Sequence, residues 1–358
     1  MKLSVFISFV FLLTLTGVAQ AEMRIWKAVG GFETTAAFVS FDAGVVTLRK
    51  ENGEEVRVPL GRLHPGERAE VIRLSSQKTI GAMPPGPVQK PSGRREITWH
   101  SLEGQEPWPE SLRDHELDAL KSVGRTWKHA ESRYFIFHYQ SLGYAKKVSR
   151  MADFMYPYIA ADIPEFNDRF EKKSHIIVVR NRVEWLQFLR NSGSFHEWSG
   201  AFVRGDSMFL YDMDNNEANA SILAHEMSHL VLNRFFIHRP PRWLNEGLAE
   251  WYGNTGYETF KGQKVDVEDG MGQLADPYDI STLFEMEQYP TEMEEINRYY
   301  ATSKQVVGML ILKWDHSTFV KFLQSITVNG TSVREPLEEI YGFSSLEEVQ
   351  AAFDAFLR

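Results

Sequence analysis

The chain contains no cysteine among its 358 residues. That absence excludes disulfide staples, thiol nucleophiles, redox pairs and iron–sulfur ligation, so any metal has to be held by His, Asp or Glu. A basic excess is also missing: 39 Lys+Arg stand against 48 Asp+Glu, for a net charge of -9. Nucleic acid is therefore disfavoured as the main partner, because phosphate binding calls for a basic face. Beyond the amino-terminal stretch, no apolar run is long enough to span a membrane. What is present, 43% hydrophobic and 24% charged residues, is the composition of a globular protein, and the length suggests about two domains.

The amino terminus reads as a secretory signal. Lys2 gives a short positive start, Leu3 to Val18 is almost wholly apolar, and Ala19-Gln20-Ala21 has the small-x-small pattern that a signal peptidase accepts. Cleavage after Ala21 predicts an exported protein, periplasmic or extracellular, with no membrane span once the signal is removed.

Residues 22–76 read as short strands punctuated by turns. Val45, Val46, Thr47 and Leu48 form one run, Val56 and Val58 alternate in another, and Glu51-Asn52-Gly53 sits between them where a hairpin turn belongs. The pattern predicts a small β-barrel. Residues 77–125, with Met83-Pro84-Pro85-Gly86-Pro87 and Lys90-Pro91-Ser92-Gly93, read as a Pro/Gly-rich linker and lead-in. Within 126–358, strands at Tyr134–Tyr139 and His175–Arg180 alternate with helices at Gly143–Ile159 and Val183–Leu189. A hairpin at Ala201–Tyr211 turns on Gly205-Asp206, and the chain after Asn216 is mostly helical. The fold class is α+β: a barrel, then a mixed sheet with an edge strand and a helical carboxy-terminal half.

The first segment carries Arg24 and Trp26, Gly31-Phe32, Val46 and Leu48, Gly53, and Val58-Pro59-Leu60. In these positions it resembles the Sla homology domain 1, an SH3-like module. The matching residues are mostly barrel-forming, so the resemblance implies a spacer or a docking module for a peptide or protein rather than catalysis.

The chemistry gathers downstream. Ala224-His225-Glu226-Met227-Ser228-His229 lies in a helix predicted from about Glu217 to Arg234. Two histidines four apart project from one face, so both rings can meet one ion at ~2.0–2.1 Å. Leu223, Met227, Leu230 and Val231 gather on the opposite, apolar face. Glu226 lies about 100° round from His225, placed to take a proton. This is the HExxH pattern of metallopeptidase helices, although the same spacing suits an amphipathic helix with two exposed histidines. A second helix then opens at Pro240-Pro241. On it Glu246 and Glu250 share a face, where two carboxylates repel unless a cation or histidine lies between them.

HExxH followed by Trp243-Leu244-Asn245-Glu246-Gly247-Leu248-Ala249-Glu250 resembles the gluzincin metallopeptidases, the group of thermolysin and the zinc aminopeptidases, often called peptidase MA-like. The resemblance implies a zincin-like domain over 126–358 with one zinc ion held by His225, His229 and Glu246. It further implies Glu226 as general base, Glu250 orienting a ligand histidine, and hydrolysis of peptides or proteins by a metal-activated water. Tyr300, with Tyr299 as the fallback, takes the position of the aminopeptidase tyrosine that steadies the tetrahedral intermediate. Ala201 and Phe202 resemble the edge strand on which such enzymes lay the substrate backbone, with Gly200 where thermolysin-like members have Asn. No motif for capturing a free amine is recognisable, which favours endopeptidase or short-peptide hydrolysis. The other reading is a zinc-binding scaffold without turnover, using the barrel as a docking piece. Residues 261–298, acidic and loop-like, are placed to form a rim. His138, His196 and His238 are read as packing or surface residues.

Overall fold

The computed structural model describes residues 23–28, 33–42, 45–59, 62–64, 67, 70, 71, 74, 98–123, 126–193, 200–213, 217–263, 265, 267 and 271–358. The expected signal sequence, residues 77–97 of the expected linker, and His196 lie outside them. Among the described residues, no helix is long and apolar enough to cross a membrane.

The chain is mixed α and β. Its amino-terminal part is a four-stranded antiparallel sheet in the order β1 (Met23–Lys27), β2 (Glu33–Asp42), β3 (Val45–Lys50) and β4 (Glu55–Pro59). Trp26, Ala36, Phe38, Val46 and Leu48 fill its core, and the Trp26 indole N–H donates to the Ala36 carbonyl at 2.9 Å. The expected barrel is not closed among the described residues. β1 and β4 remain the two edges of the sheet, and among the described residues the one β-bridge on the β1 side joins Ala28, just past that strand, to Leu63. The physical reason lies in the segment that would have to close it. β4 ends at Pro59, which has no N–H for a ladder, and Glu67, Glu70, Val71 and Leu74 are helical rather than extended. Arg24 holds that turn against β1 through ion pairs of 2.6 Å to Glu67 and 2.7 Å to Glu70.

The larger sheet has six strands in the order β5 (His100–Ser101), β6 (Lys128–Glu131), β7 (Phe135–Tyr139), β8 (Ser174–Val179), β10 (Ser207–Tyr211) and β9 (Ala201–Arg204). β8 runs parallel to both β7 and β10, and the remaining pairs are antiparallel. All six residues of β8 are buried, as expected of a strand covered on both faces. One face packs Ile177, Val179 and Phe209 against α1 (Asp114–Val123) and α3 (Arg182–Asn191). The other packs Ile176, Val178 and Leu210 into the main core with α2 (Leu142–Asp162) and α4 (Glu217–Leu232). The lead-in thus contributes β5 and α1 to this layer. Fully buried Glu116 of α1 pairs with Arg113 and with Arg204 at the end of β9, tying the helix to the edge strand. The hairpin between β9 and β10 turns on Gly205 at φ +60, a conformation that glycine adopts without a Cβ penalty.

The rest is helical: α5 (Arg242–Lys261), α6 (Ile280–Glu285), α7 (Met293–Leu312), α8 (His316–Thr327), α9 (Arg334–Glu339) and α10 (Leu346–Phe356). α5 lies between α4 and α7 at glycine-mediated contacts. A Cβ on Gly247 would stand 2.4 Å from the Ser303 carbonyl oxygen of α7, and one on Gly253 would stand 3.0 Å from the backbone of His225. Because the obstruction at Gly247 is backbone, Gly247→Ala is expected to force α5 and α7 apart and to destabilise the fold by about 1–3 kcal/mol. The denaturation midpoint checks this; a wild-type midpoint would show that the helices separate freely.

Candidate metal centre

The α4 helix reaches the site as a half-polar element on an apolar back. Leu223, Ala224, Met227, Leu230 and Val231 are buried in the core, which fixes the rotation that turns His225 and His229 towards α5. The carboxy-terminal end of α4 is held by Arg234. Its guanidinium pairs with Asp168 at 2.8 Å and donates to the Ser174 hydroxyl at 2.8 Å and the Lys172 carbonyl at 3.0 Å. The motif helix is therefore anchored to the entry of β8.

Facing it, α5 presents Glu246 and Glu250 one turn apart. Glu246 Oε2 lies 3.3 Å from His225 Nε2 and 3.2 Å from His229 Nε2, and the two Nε2 atoms are 3.2 Å apart. These three atoms form a nearly equilateral triangle. A tetrahedral zinc site with bonds of ~2.0–2.1 Å requires ligand–ligand edges of roughly 3.3–3.4 Å, so the residues present fit one such ion. They are also the only group of three His or acidic side chains within metal-holding distance among the described residues.

The surroundings settle which atoms face inward. Glu250 Oε1 sits 2.9 Å from His225 Nδ1, fixing that nitrogen as the protonated one and leaving Nε2 as the lone-pair atom. Burial favours the neutral form of His225, but Glu246 and Glu250 outweigh it and hold its pKa well above the usual value. Burial also pushes Glu246 up, yet the neighbouring His229 and His225 prevail and keep it well below the usual carboxylate range. His229 Nδ1 is buried without a partner.

Glu226 stands beside the triangle rather than in it. Burial raises its pKa against the opposing pull of His229 and His225, and its carboxylate accepts a hydrogen bond from the Val203 backbone N–H. That contact links the candidate base to edge strand β9. Tyr300 places its ring edge-on to His225, with centroids 5.7 Å apart. Burial first, then Glu246 and other nearby groups, push its phenol pKa well up, so it stays a neutral donor. Tyr299 is buried, its hydroxyl has no partner, and its ring meets both Tyr289 and Tyr300; burial first, then Glu246, push its phenol pKa up as well.

Ala201 and Phe202 do lie on the edge strand, paired with Leu210 and Phe209. Phe202 turns its ring towards Phe209 and Trp185, in the core shared with α1 and α3. Of this strand, Val203 makes the hydrogen bond to the site. Gly200 has a packing reason of its own, since a Cβ there would come within 2.9 Å of the Met213 sulfur.

Two residues of the site carry no signal in the motif pattern. One is Val203, which acts only through its backbone. The other is Tyr289, whose hydroxyl donates to Glu246 Oε1 at 2.6 Å from the segment between α6 and α7. Among the described residues of the rim expected over 261–298, Tyr289 reaches the centre. No protein-family model matches the chain, and no curated protein matches it.

Proposed function

We propose that the chain is an exported zinc-dependent peptide hydrolase of the gluzincin type, with a zincin-like catalytic domain and an SH3-like docking module at its amino terminus. The observation that carries the reading is the triangle of His225, His229 and Glu246 with Glu226 at its side and Glu250 behind His225. An amphipathic helix with incidental histidines has no reason to bring three ligand atoms together on one point, with Glu250 behind one of the histidines.

A zinc ion bound there would supply Lewis acidity, polarising a carbonyl and lowering the pKa of water to roughly 7. The chain's own residues supply the rest. Glu226, its carboxylate oriented by the Val203 N–H and its proton affinity raised by burial, takes a proton from the attacking water and returns it to the leaving amine. The neutral Tyr300 hydroxyl donates to the carbonyl oxygen as charge develops on it. Edge strand β9 offers backbone groups to an extended peptide by strand addition, and the substrate class is accordingly a peptide or unfolded protein segment.

Metal analysis of protein purified without chelators, paired with cleavage of a mixed peptide library, tests the proposal. About one zinc per chain and turnover abolished by a chelator are expected. Zinc without turnover would instead favour the scaffold reading, and absence of metal would overturn both. Glu250→Gln, which exchanges a charged acceptor for an amide at His225 Nδ1, is expected to weaken zinc affinity about 10–100-fold. Competition with a chromogenic chelator measures it.

A further inference from the structure

Tyr289 belongs to no motif, yet it makes the shortest contact to the centre from outside α4 and α5. The Glu246 carboxylate is divided between two sets of partners. Oε2 faces the two histidine Nε2 atoms. Oε1 accepts the Tyr289 hydroxyl at 2.6 Å and, more distantly, the Asn245 side-chain amide at 3.3 Å. An O–H donor to a carboxylate at that distance is a strong, charge-assisted hydrogen bond. The tyrosine is itself held in place. The Arg242 guanidinium lies over its ring at 4.8 Å from the centroid, and the Tyr299 ring meets it edge-on at 6.0 Å. Arg242 and Glu246 are one turn apart on α5, so one side chain from the loop grips a single face of that helix at two points: its ring on Arg242 and its hydroxyl on Glu246.

We infer that Tyr289 is a positioning residue for the metal centre: by occupying Glu246 Oε1 it leaves Oε2 as the one oxygen available to an ion. The loop between α6 and α7 and the ligand set then behave as a single unit. The physical reason is entropic and geometric. A free carboxylate rotates about its last torsion and can offer either oxygen or both, whereas an anchored one presents a single atom in a fixed place. A carboxylate that also bound through Oε1 would fill the coordination position on which hydrolysis depends. The inference rests on the proposal that His225, His229 and Glu246 hold zinc.

The test uses the full-length chain and zinc alone as the probe. Tyr289→Phe removes one hydroxyl and keeps the ring on Arg242. Its zinc dissociation constant, measured by competition with a chromogenic chelator, is expected to rise about 10–100-fold. Melting of the metal-free and zinc-loaded forms provides the control, because ligand linkage converts a loss of affinity into a larger fall for the loaded form. A merely structural role would lower both forms equally and leave the dissociation constant unchanged. Arg242→Gln, which loosens the ring but keeps the hydroxyl, should shift the constant in the same direction by a smaller factor, and it reads the same coupling if the phenylalanine variant does not fold. A dissociation constant for Tyr289→Phe within threefold of wild type, or tighter, overturns the inference while leaving the zinc reading intact. A wild-type chain that binds no zinc overturns both.

Discussion

Glu226→Gln is expected to leave zinc affinity within about threefold of wild type and to slow peptide cleavage by about 10²–10⁴-fold. The two halves of this expectation rest on different contacts. Affinity survives because Glu226 is not among the three converging ligand atoms, and an amide oxygen can still accept the Val203 N–H that orients the side chain. Turnover is lost because an amide cannot take up the proton that the carboxylate accepts. The raised proton affinity of the part-buried Glu226 suits it to hold that proton and release it to an amine. Zinc content and kcat/KM measured on the same preparations separate the two halves. A variant with full activity would remove Glu226 from the mechanism, and one that loses its metal would make it a ligand-organising residue instead of a base.

The site was legible wherever chemistry followed from spacing along one helix. His225 and His229 share a face by periodicity, Glu246 and Glu250 share another, and the apolar side of α4 fixes which way the first pair points. The β9–β10 hairpin was legible from Gly205-Asp206 between two apolar runs, and β8 from its unbroken apolar stretch. What escaped was whatever depends on where the chain returns. Closure of the amino-terminal sheet turns on the path after Pro59, where Glu67, Glu70, Val71 and Leu74 are helical and, among the described residues, a single β-bridge joins Leu63 to Ala28. Tyr289 sits in a loop without periodicity, and its partner lies 43 residues away in sequence. The histidines of the sheet escaped for a third reason. His138 was recognisable as a strand residue, but only the register brings His129 opposite it on antiparallel β6 and sets His175, the partner of Ile136, diagonally across from it on parallel β8.

Those three histidines lead to the second large effect, a loss of stability in mild acid. His129 Nδ1 meets His138 Nδ1 at 2.9 Å, and His138 Nε2 meets His175 Nδ1 at 2.9 Å. Trp108 stacks on His138 at 4.5 Å, and all three histidines are buried. Each N···N contact holds one proton between two nitrogens, so of the six ring nitrogens at most four can carry hydrogen, one more than three neutral rings require. A second added proton has to break the chain. Burial, then the neighbouring His175 and His129, push the pKa of His138 well down; burial lowers His129 against the pull of Glu106. Burial brings His175 down to about 4, although Asp206 and Glu110 pull it up and Lys172 adds to the fall. All three are therefore lowered in the fold, and the unfolded chain takes up protons first. Stability from this chain is complete above about pH 6.5 and falls as the pH drops towards 4. For His175 alone the shift corresponds to about 3 kcal/mol, a substantial part of a typical total of ~5–15 kcal/mol. Chemical denaturation at pH values between 7.5 and 4.5 should show this slope in the wild type. His138→Phe keeps a stacking partner for Trp108 and removes one titrating ring, so its slope between pH 5 and 6 should be shallower by up to one proton, about 1.4 kcal/mol per pH unit. Parallel curves would mean that His138 takes up no proton on unfolding, and the acid sensitivity would then have to lie with His129, His175 and the carboxylates around them.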